Sequence, residues 1–199
     1  SAIGGHLEVY PFEGFVAKVS VYNGVAHETF DTQFHFRPSA EGLFSIGSLS
    51  YEYKTKGEHS ANYTLGYVYG KIPGEGAEAS FDRKTGLWGL VEQPFLHWRG
   101  TQWCLLLQGA VMTRHTSGTH GYWGAGLTVN GISNRKMMAG FAVNRMHDHL
   151  EGNEVGMEHT WLVPLNNWLS IQPALHFIYS HHRKDVVGLL RLSVSLGNL

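Results

Sequence analysis

The stretch VVGLLRLSVSL at residues 186–196 alternates between apolar and polar side chains. In an extended chain, Leu190 and Leu192 fall on one side, whereas Arg191 and Ser193 fall on the other. Successive side chains of a β-strand point to opposite faces, so this pattern predicts a strand with one apolar and one polar face.

The same alternation recurs along the whole chain. It marks ten further segments, at residues 3–10, 15–22, 43–54, 62–70, 87–98, 102–112, 122–130, 137–146, 154–163 and 168–179. Their lengths are close to the roughly 9–11 residues with which a strand crosses a bilayer. Short connections alternate with longer polar ones, at 23–41, 71–85, 114–120 and 147–152. Outer-membrane barrels have this alternation of short and long connections. We therefore predict an all-β, antiparallel transmembrane β-barrel of about eleven strands.

The composition favours a thin wall over a thick soluble core. Charged residues make up 16% of the chain, below the quarter that is usual in soluble domains, and there are 25 glycines. The net charge of -1 gives no basic field for nucleic acid. The single cysteine, Cys104, supports neither a disulfide nor a Cys-x-x-Cys site. No stretch of eighteen apolar residues could form a membrane-spanning helix.

Alternation also assigns side chains to a lumen and to the membrane boundary. We predict that seven polar side chains face the pathway of a solute: Glu52, Gln108, Glu154, Glu158, Gln172, His176 and Arg191. Final strands that lie side by side would bring Glu158, Gln172 and Arg191 into one neighbourhood. Four tryptophans flank short turns and are predicted to lie at the membrane interface: Trp98, Trp103, Trp161 and Trp168.

The C-terminal third resembles the end of carbohydrate-selective porins of the OprB type. The residues that carry the resemblance are EHTW at 158–161, PLNNWLSIQPALHFIY at 164–179 and GLLRL at 188–192. TGLWGLVEQ at 85–93 and the opening residues 2–24 look like further landmarks of the family. The resemblance implies a sixteen-stranded barrel in the outer membrane of a Gram-negative bacterium. Residues 1–199 would then form a single domain that lacks the family's N-terminal strands.

What the resemblance implies for function is passive diffusion of small carbohydrates through a polar lumen. The expected partners are small saccharides and outer-membrane lipid. The resemblance does not decide whether the protein forms a homo-oligomer. We expect no catalysis, no cofactor, no metal and no nucleic acid. The histidines at 147, 149, 181 and 182 are interpreted as solvated loop residues. Three alternatives remain at this point: a structural or binding barrel with a blocked lumen, an outer-membrane hydrolase, and a soluble β-sandwich.

Overall fold

A computed structural model of the chain describes residues 4–23, 42–55, 60–73, 81–114, 119–132, 137–148, 152–181 and 183–195. These residues form eleven β-strands, which confirms the predicted all-β class and the strand number. The strands are β1 (Gly4–Phe12), β2 (Phe15–Asn23), β3 (Leu43–Tyr53), β4 (Ala61–Pro73), β5 (Phe81–Trp98), β6 (Thr101–Arg114), β7 (Thr119–Ile132), β8 (Met137–Asp148), β9 (Gly152–Pro164), β10 (Leu169–Tyr179) and β11 (Lys184–Val194). No helix within these ranges is long and apolar enough to cross a membrane.

The strands form one antiparallel sheet in which every strand pairs with its neighbour in sequence. The connections therefore alternate between two ends of the sheet. We call the end with the connections 13–14, 54–60, 99–100, 133–136 and 165–168 the turn end, and the opposite end the loop end. The predicted difference in connection length is carried mainly by residues 24–42 at the loop end, because the strands run further than the sequence pattern shows.

The strand order leaves β1 and β11 at the two edges of the sheet. Both strands run towards the turn end, so they are parallel to each other. Joining them in an all-antiparallel barrel therefore requires an odd number of further strands. The predicted total of sixteen strands meets this condition and stays a prediction.

The structure corrects the predicted connection 71–85. β4 continues to Pro73 and β5 already begins at Phe81, so only residues 74–80 of this connection lie outside the described strands. The charged run Asp82, Arg83 and Lys84 hides the alternation, but its backbone continues the ladder with β4. Pro94 lies at an irregularity in the β5–β6 register, where a missing N–H donor is tolerated.

Candidate functional site

The registers define two faces of the sheet, because residues paired across strands point to the same side. The face that carries the predicted pathway residues is called the inner face, and the opposite face is called the outer face. One row of paired residues on the inner face runs from β3 to β10 through Glu52, Asn62, Glu92, Leu106, Gly126, Ala142, Glu158 and His176. The neighbouring row on the outer face is formed by Tyr51, Tyr63, Val91, Leu107, Ala125, Val143, Met157 and Phe177.

The two faces differ in burial as well as in chemistry. In the middle strands, inner-face side chains such as Gln108 and Glu158 are half-buried, as on the concave side of a curved sheet. Large apolar side chains on the outer face are exposed, with Leu65 at 63% and Phe141 at 50% of their possible surface. Such a surface in contact with water would be an aggregation risk, whereas in contact with lipid it is stable.

All seven predicted pathway residues lie on the inner face. Gln172 is the best connected of them: its Nε2 donates a hydrogen bond to Thr160 Oγ1 at 3.0 Å, and its Oε1 accepts one from Arg191 Nη1 at 3.5 Å. Two rows closer to the loop end, His176 Nδ1 lies 3.8 Å from Glu158 Oε2. The structure thus joins Gln172 to Arg191, whereas Glu158 contacts His176 instead.

A polar cluster on β1 and β2 was missed by the sequence analysis. Lys18 Nζ lies 3.1 Å from Glu8 Oε1, and His6 Nε2 lies 3.7 Å from the other oxygen of Glu8. His6 Nδ1 also hydrogen-bonds Ser20 Oγ at 2.7 Å. In the alternating segments 3–10 and 15–22, these four residues occupy the polar positions. What the pattern lacked was the register that places Glu8 opposite Lys18 and His6 opposite Ser20.

Ser20, His6 and Glu8 have the order of a nucleophile, a base and an orienting acid. Two features argue against a hydrolytic site. Ser20 is buried, with 8% of its surface exposed. Its strand, β2, is paired on both sides, so that Ser20 lies opposite His6 on β1 and opposite Ile46 on β3. Backbone N–H groups used in both ladders cannot stabilise an oxyanion. In addition, Glu8 is shared with Lys18. This set is therefore a polar network of the inner wall.

Aromatic side chains also line the inner face. The indole of Trp88 lies against Gly66, where a Cβ atom would come within 2.2 Å of the ring. Gly66 therefore gives the ring room to lie flat on the wall. Tyr122 lies in the same row of paired residues as Trp88, two strands further on. Its hydroxyl oxygen accepts a hydrogen bond from Gln108 Nε2 in the neighbouring row of the inner face. Trp88 and Tyr122 offer flat apolar surfaces among the polar side chains, and neither was among the predicted pathway residues.

The four predicted interface tryptophans all lie near the turn end. Trp98, Trp103 and Trp161 are on the outer face, near the ends of β5, β6 and β9. Trp168 was predicted to begin a strand, but it lies in the turn before β10, where Asn166 Oδ1 accepts a hydrogen bond from its backbone N–H. Trp103 is only half-buried, yet its Nε1 atom is covered and has no hydrogen-bond partner in the described structure.

Of the predicted loop histidines, His147 is the last outer-face residue of β8, and its Nδ1 lies 2.8 Å from Asn153 Oδ1. His149 and His182 lie outside the described residues. Within the described ranges, no group of three or more His, Cys, Asp or Glu side chains is arranged to hold a metal ion. One further histidine, His159, faces outward, and its Nε2 accepts the indole N–H of Trp161.

Comparison with known proteins finds one similar solved structure but no matching sequence family. No protein-family model matches the chain, and no curated protein matches it. The chain is similar to OprB of Pseudomonas putida in its high-pH structure, with a TM-score of 0.76 and 19% sequence identity. The match covers 96% of this chain and 58% of that chain, so the chain spans a little over half the length of its structural neighbour. The eleven-stranded antiparallel sheet therefore has the β-barrel fold of OprB, as the sequence resemblance predicted.

Proposed function

We propose that the protein is an outer-membrane porin whose inner face lets small carbohydrates diffuse passively across the membrane. The observation that carries the proposal is the separation of the two faces: the outer face presents apolar side chains to lipid, and the inner face presents hydrogen-bonding groups to water. The fold shared with OprB supports the proposal of a porin, and so does the position of all seven predicted pathway residues on the inner face.

The chemistry of the inner face suits neutral, hydroxyl-rich solutes. Gln172 can both donate and accept hydrogen bonds, and its weak 3.5 Å contact with Arg191 is easily exchanged for a sugar hydroxyl. Carboxylates accept hydrogen bonds from hydroxyl groups, while Trp88 and Tyr122 can cover the apolar faces of a sugar ring. These contacts replace the hydration of the solute briefly and release it on either side.

The charges of the inner face predict that the pore has a weak preference for cations over anions. The described inner-face side chains include six carboxylates, Glu8, Glu52, Glu92, Glu154, Glu158 and Asp185, against three basic groups, Lys18, Lys84 and Arg191. A lining of one dominant sign attracts counter-ions into a pore. A sugar carries no charge and is not opposed by this field.

Swelling of liposomes that contain the full-length protein tests the proposal. We expect faster swelling in a monosaccharide than in a zwitterionic amino acid of similar size, because only hydrogen bonding favours the sugar. Equal rates would contradict carbohydrate selectivity, and the absence of swelling in either solute would contradict an open pore.

A matched pair of variants links the rates to the inner face. Gln172→Leu removes the central amide of the Thr160–Gln172–Arg191 network and should lower the sugar rate relative to the amino-acid rate. Ile171→Leu changes the adjacent outer-face residue and should leave the ratio unchanged. The same loss in both variants would show that the substitutions act on the barrel as a whole.

A further inference from the structure

One row of paired residues on the inner face places an indole ring near an ion pair. The row crosses β1 to β5 and consists of Glu8, Lys18, Ser48, Gly66 and Trp88. Each member lies on the strand next to that of the previous one, so neighbouring backbones are about 4.8 Å apart. Because the ring of Trp88 lies over Gly66, it reaches back from β5 over β4. The aromatic surface and the two charges therefore border the same part of the wall.

The indole of Trp88 presents a ring face to the lumen, and not its N–H group. Three ring atoms, Cε2, Cζ2 and Nε1, occupy the space that a Cβ atom on Gly66 would need, so the ring covers the glycine. Nε1 is itself covered and has no hydrogen-bond partner among the described residues. Trp88 as a whole is only half-buried, so it offers a solute the carbon surface of the ring. A flat carbon surface suits the C–H face of a cyclic sugar.

Lys18 and Glu8 offer complementary hydrogen-bonding groups at the other end of the row. Lys18 Nζ lies 3.1 Å from Glu8 Oε1, and the two side chains keep 45% and 28% of their surface exposed. Tyr10 donates a hydrogen bond to the same oxygen of Glu8, and His6 lies beside the other oxygen. These contacts hold the carboxylate in place. A fixed carboxylate next to an ammonium group can accept a hydrogen bond from one sugar hydroxyl and donate one to the next.

Small side chains with hydroxyl groups lie between the ring and the ion pair. Ser48 separates them within the row. Ser50 and Thr64 follow in the neighbouring row, where their hydroxyl oxygens are 2.9 Å apart. A serine reaches less far into the lumen than a lysine or a tryptophan, so the side chains leave a gap over β3. From Lys18 to Gly66 the gap spans two strand spacings, about 10 Å, which leaves room for one sugar ring.

We propose that Trp88, Lys18 and Glu8 form a binding site for one pyranose ring. The sugar stacks a C–H face on the indole, and its hydroxyl groups exchange hydrogen bonds with the ion pair. The site also restricts the class of ligand to cyclic sugars. A linear polyol has the same hydroxyl groups but no rigid face to cover the indole. A free ion gains little at this site, because Lys18 and Glu8 already neutralise each other.

This inference rests on the proposed function, the passage of carbohydrates along the inner face, and deepens it. Passive diffusion through a polar lumen alone predicts a flux that rises in proportion to the sugar concentration. A discrete binding site on the wall predicts saturation, because one pyranose excludes the next from the same indole. Saturation therefore separates the binding site from the pore.

Reduction of the ion current by sugar in a planar bilayer tests the site in the full-length protein. Methyl α-glucopyranoside or the linear polyol sorbitol is added, and the half-saturating concentration is determined. We expect a saturable reduction by the glucopyranoside and a weaker, non-saturating one by sorbitol. Trp88→Ala should raise the half-saturating concentration about tenfold, and Trp88→Phe should restore part of the affinity. Lys18→Met should raise it about fivefold, because one hydrogen-bond donor is lost.

Trp123→Ala and Lys84→Met are the matched controls. Trp123 is exposed on the outer face of β7, and Lys84 lies on the inner face two rows from Trp88, opposite Gly70. Both controls should keep the half-saturating concentration of the unmodified protein. If Trp88→Ala does not insert, Trp88→Phe and Lys18→Met decide the test.

Four outcomes would contradict the inference. An unchanged affinity in the variants of Trp88 and Lys18, or an equal loss in the two controls, would overturn the site. Equal and saturable reduction by sorbitol would overturn the restriction to cyclic sugars. A steady current that no sugar reduces would overturn the site and leave the pore in place. No current from the unmodified protein would overturn the proposed function itself.

Discussion

Leu106 and Leu107 are identical side chains on opposite faces of β6, so they test which face contacts lipid. Leu107 lies on the outer face in the middle of β6 and is 42% exposed. It is six residues from Thr101, which corresponds to about 20 Å along the strand and about 15 Å along the membrane normal for a tilted strand. That depth is about half of an apolar band roughly 25–30 Å tall.

We predict that Leu107→Arg destabilises the inserted protein by about 2–4 kcal/mol, the cost of a basic side chain at the bilayer midplane. Leu106→Arg introduces the same side chain on the inner face, where it would lie opposite Glu92. Because an opposite charge faces it there, we expect a change of less than about 1 kcal/mol. Urea titration of folding into phosphatidylcholine vesicles, followed by tryptophan fluorescence, measures both values. Equal costs, or a larger cost for Leu106→Arg, would refute the assignment of the faces.

The same structure leads to three further predictions. Gly66→Ala forces a Cβ atom against the Trp88 ring and should cost about 1–3 kcal/mol in the same titration, whereas Gly109→Ala, with its nearest neighbour at 3.6 Å, should cost far less. Trp98→Ala removes an exposed outer-face indole at the turn end and should weaken vesicle insertion by about 1–3 kcal/mol; an unchanged insertion equilibrium would argue against an interface role. Glu158→Gln removes one inner-face carboxylate, so the reversal potential in a KCl gradient should shift towards lower cation preference; no shift would place this side chain outside the ion path.

The sequence predicts the strands well because one physical constraint repeats along the chain. A wall one residue thick, with lipid on one side and water on the other, needs alternation in every strand. That is why Leu190 and Arg191 could be assigned to opposite faces without any structure. Alternation failed at the loop end of β5, where charged residues follow one another directly. Asp82 and Arg83 were therefore predicted to be part of a loop, although they belong to the strand.

Contacts within the inner face could not be predicted, because alternation gives the face but not the register. The turn at residues 165–168 and the connection at 180–183 set the register of the last three strands. That register places Arg191 opposite Gln172 and Glu158 opposite His176, two rows apart. The predicted neighbourhood of Glu158, Gln172 and Arg191 was therefore right for one pair and wrong for Glu158.

The proposal that the inner face lines an aqueous pore is tested most directly by the conductance of single-cysteine variants in a planar bilayer. In a background without the native cysteine, Cys104→Ala, cysteine is placed at Gln172 on the inner face or at Leu175 on the outer face. A charged, membrane-impermeant thiol reagent should reduce the current of Gln172→Cys and leave that of Leu175→Cys unchanged. A reduced current for Leu175→Cys alone, or an equal response of the two variants, would contradict an inner face that lines the pore.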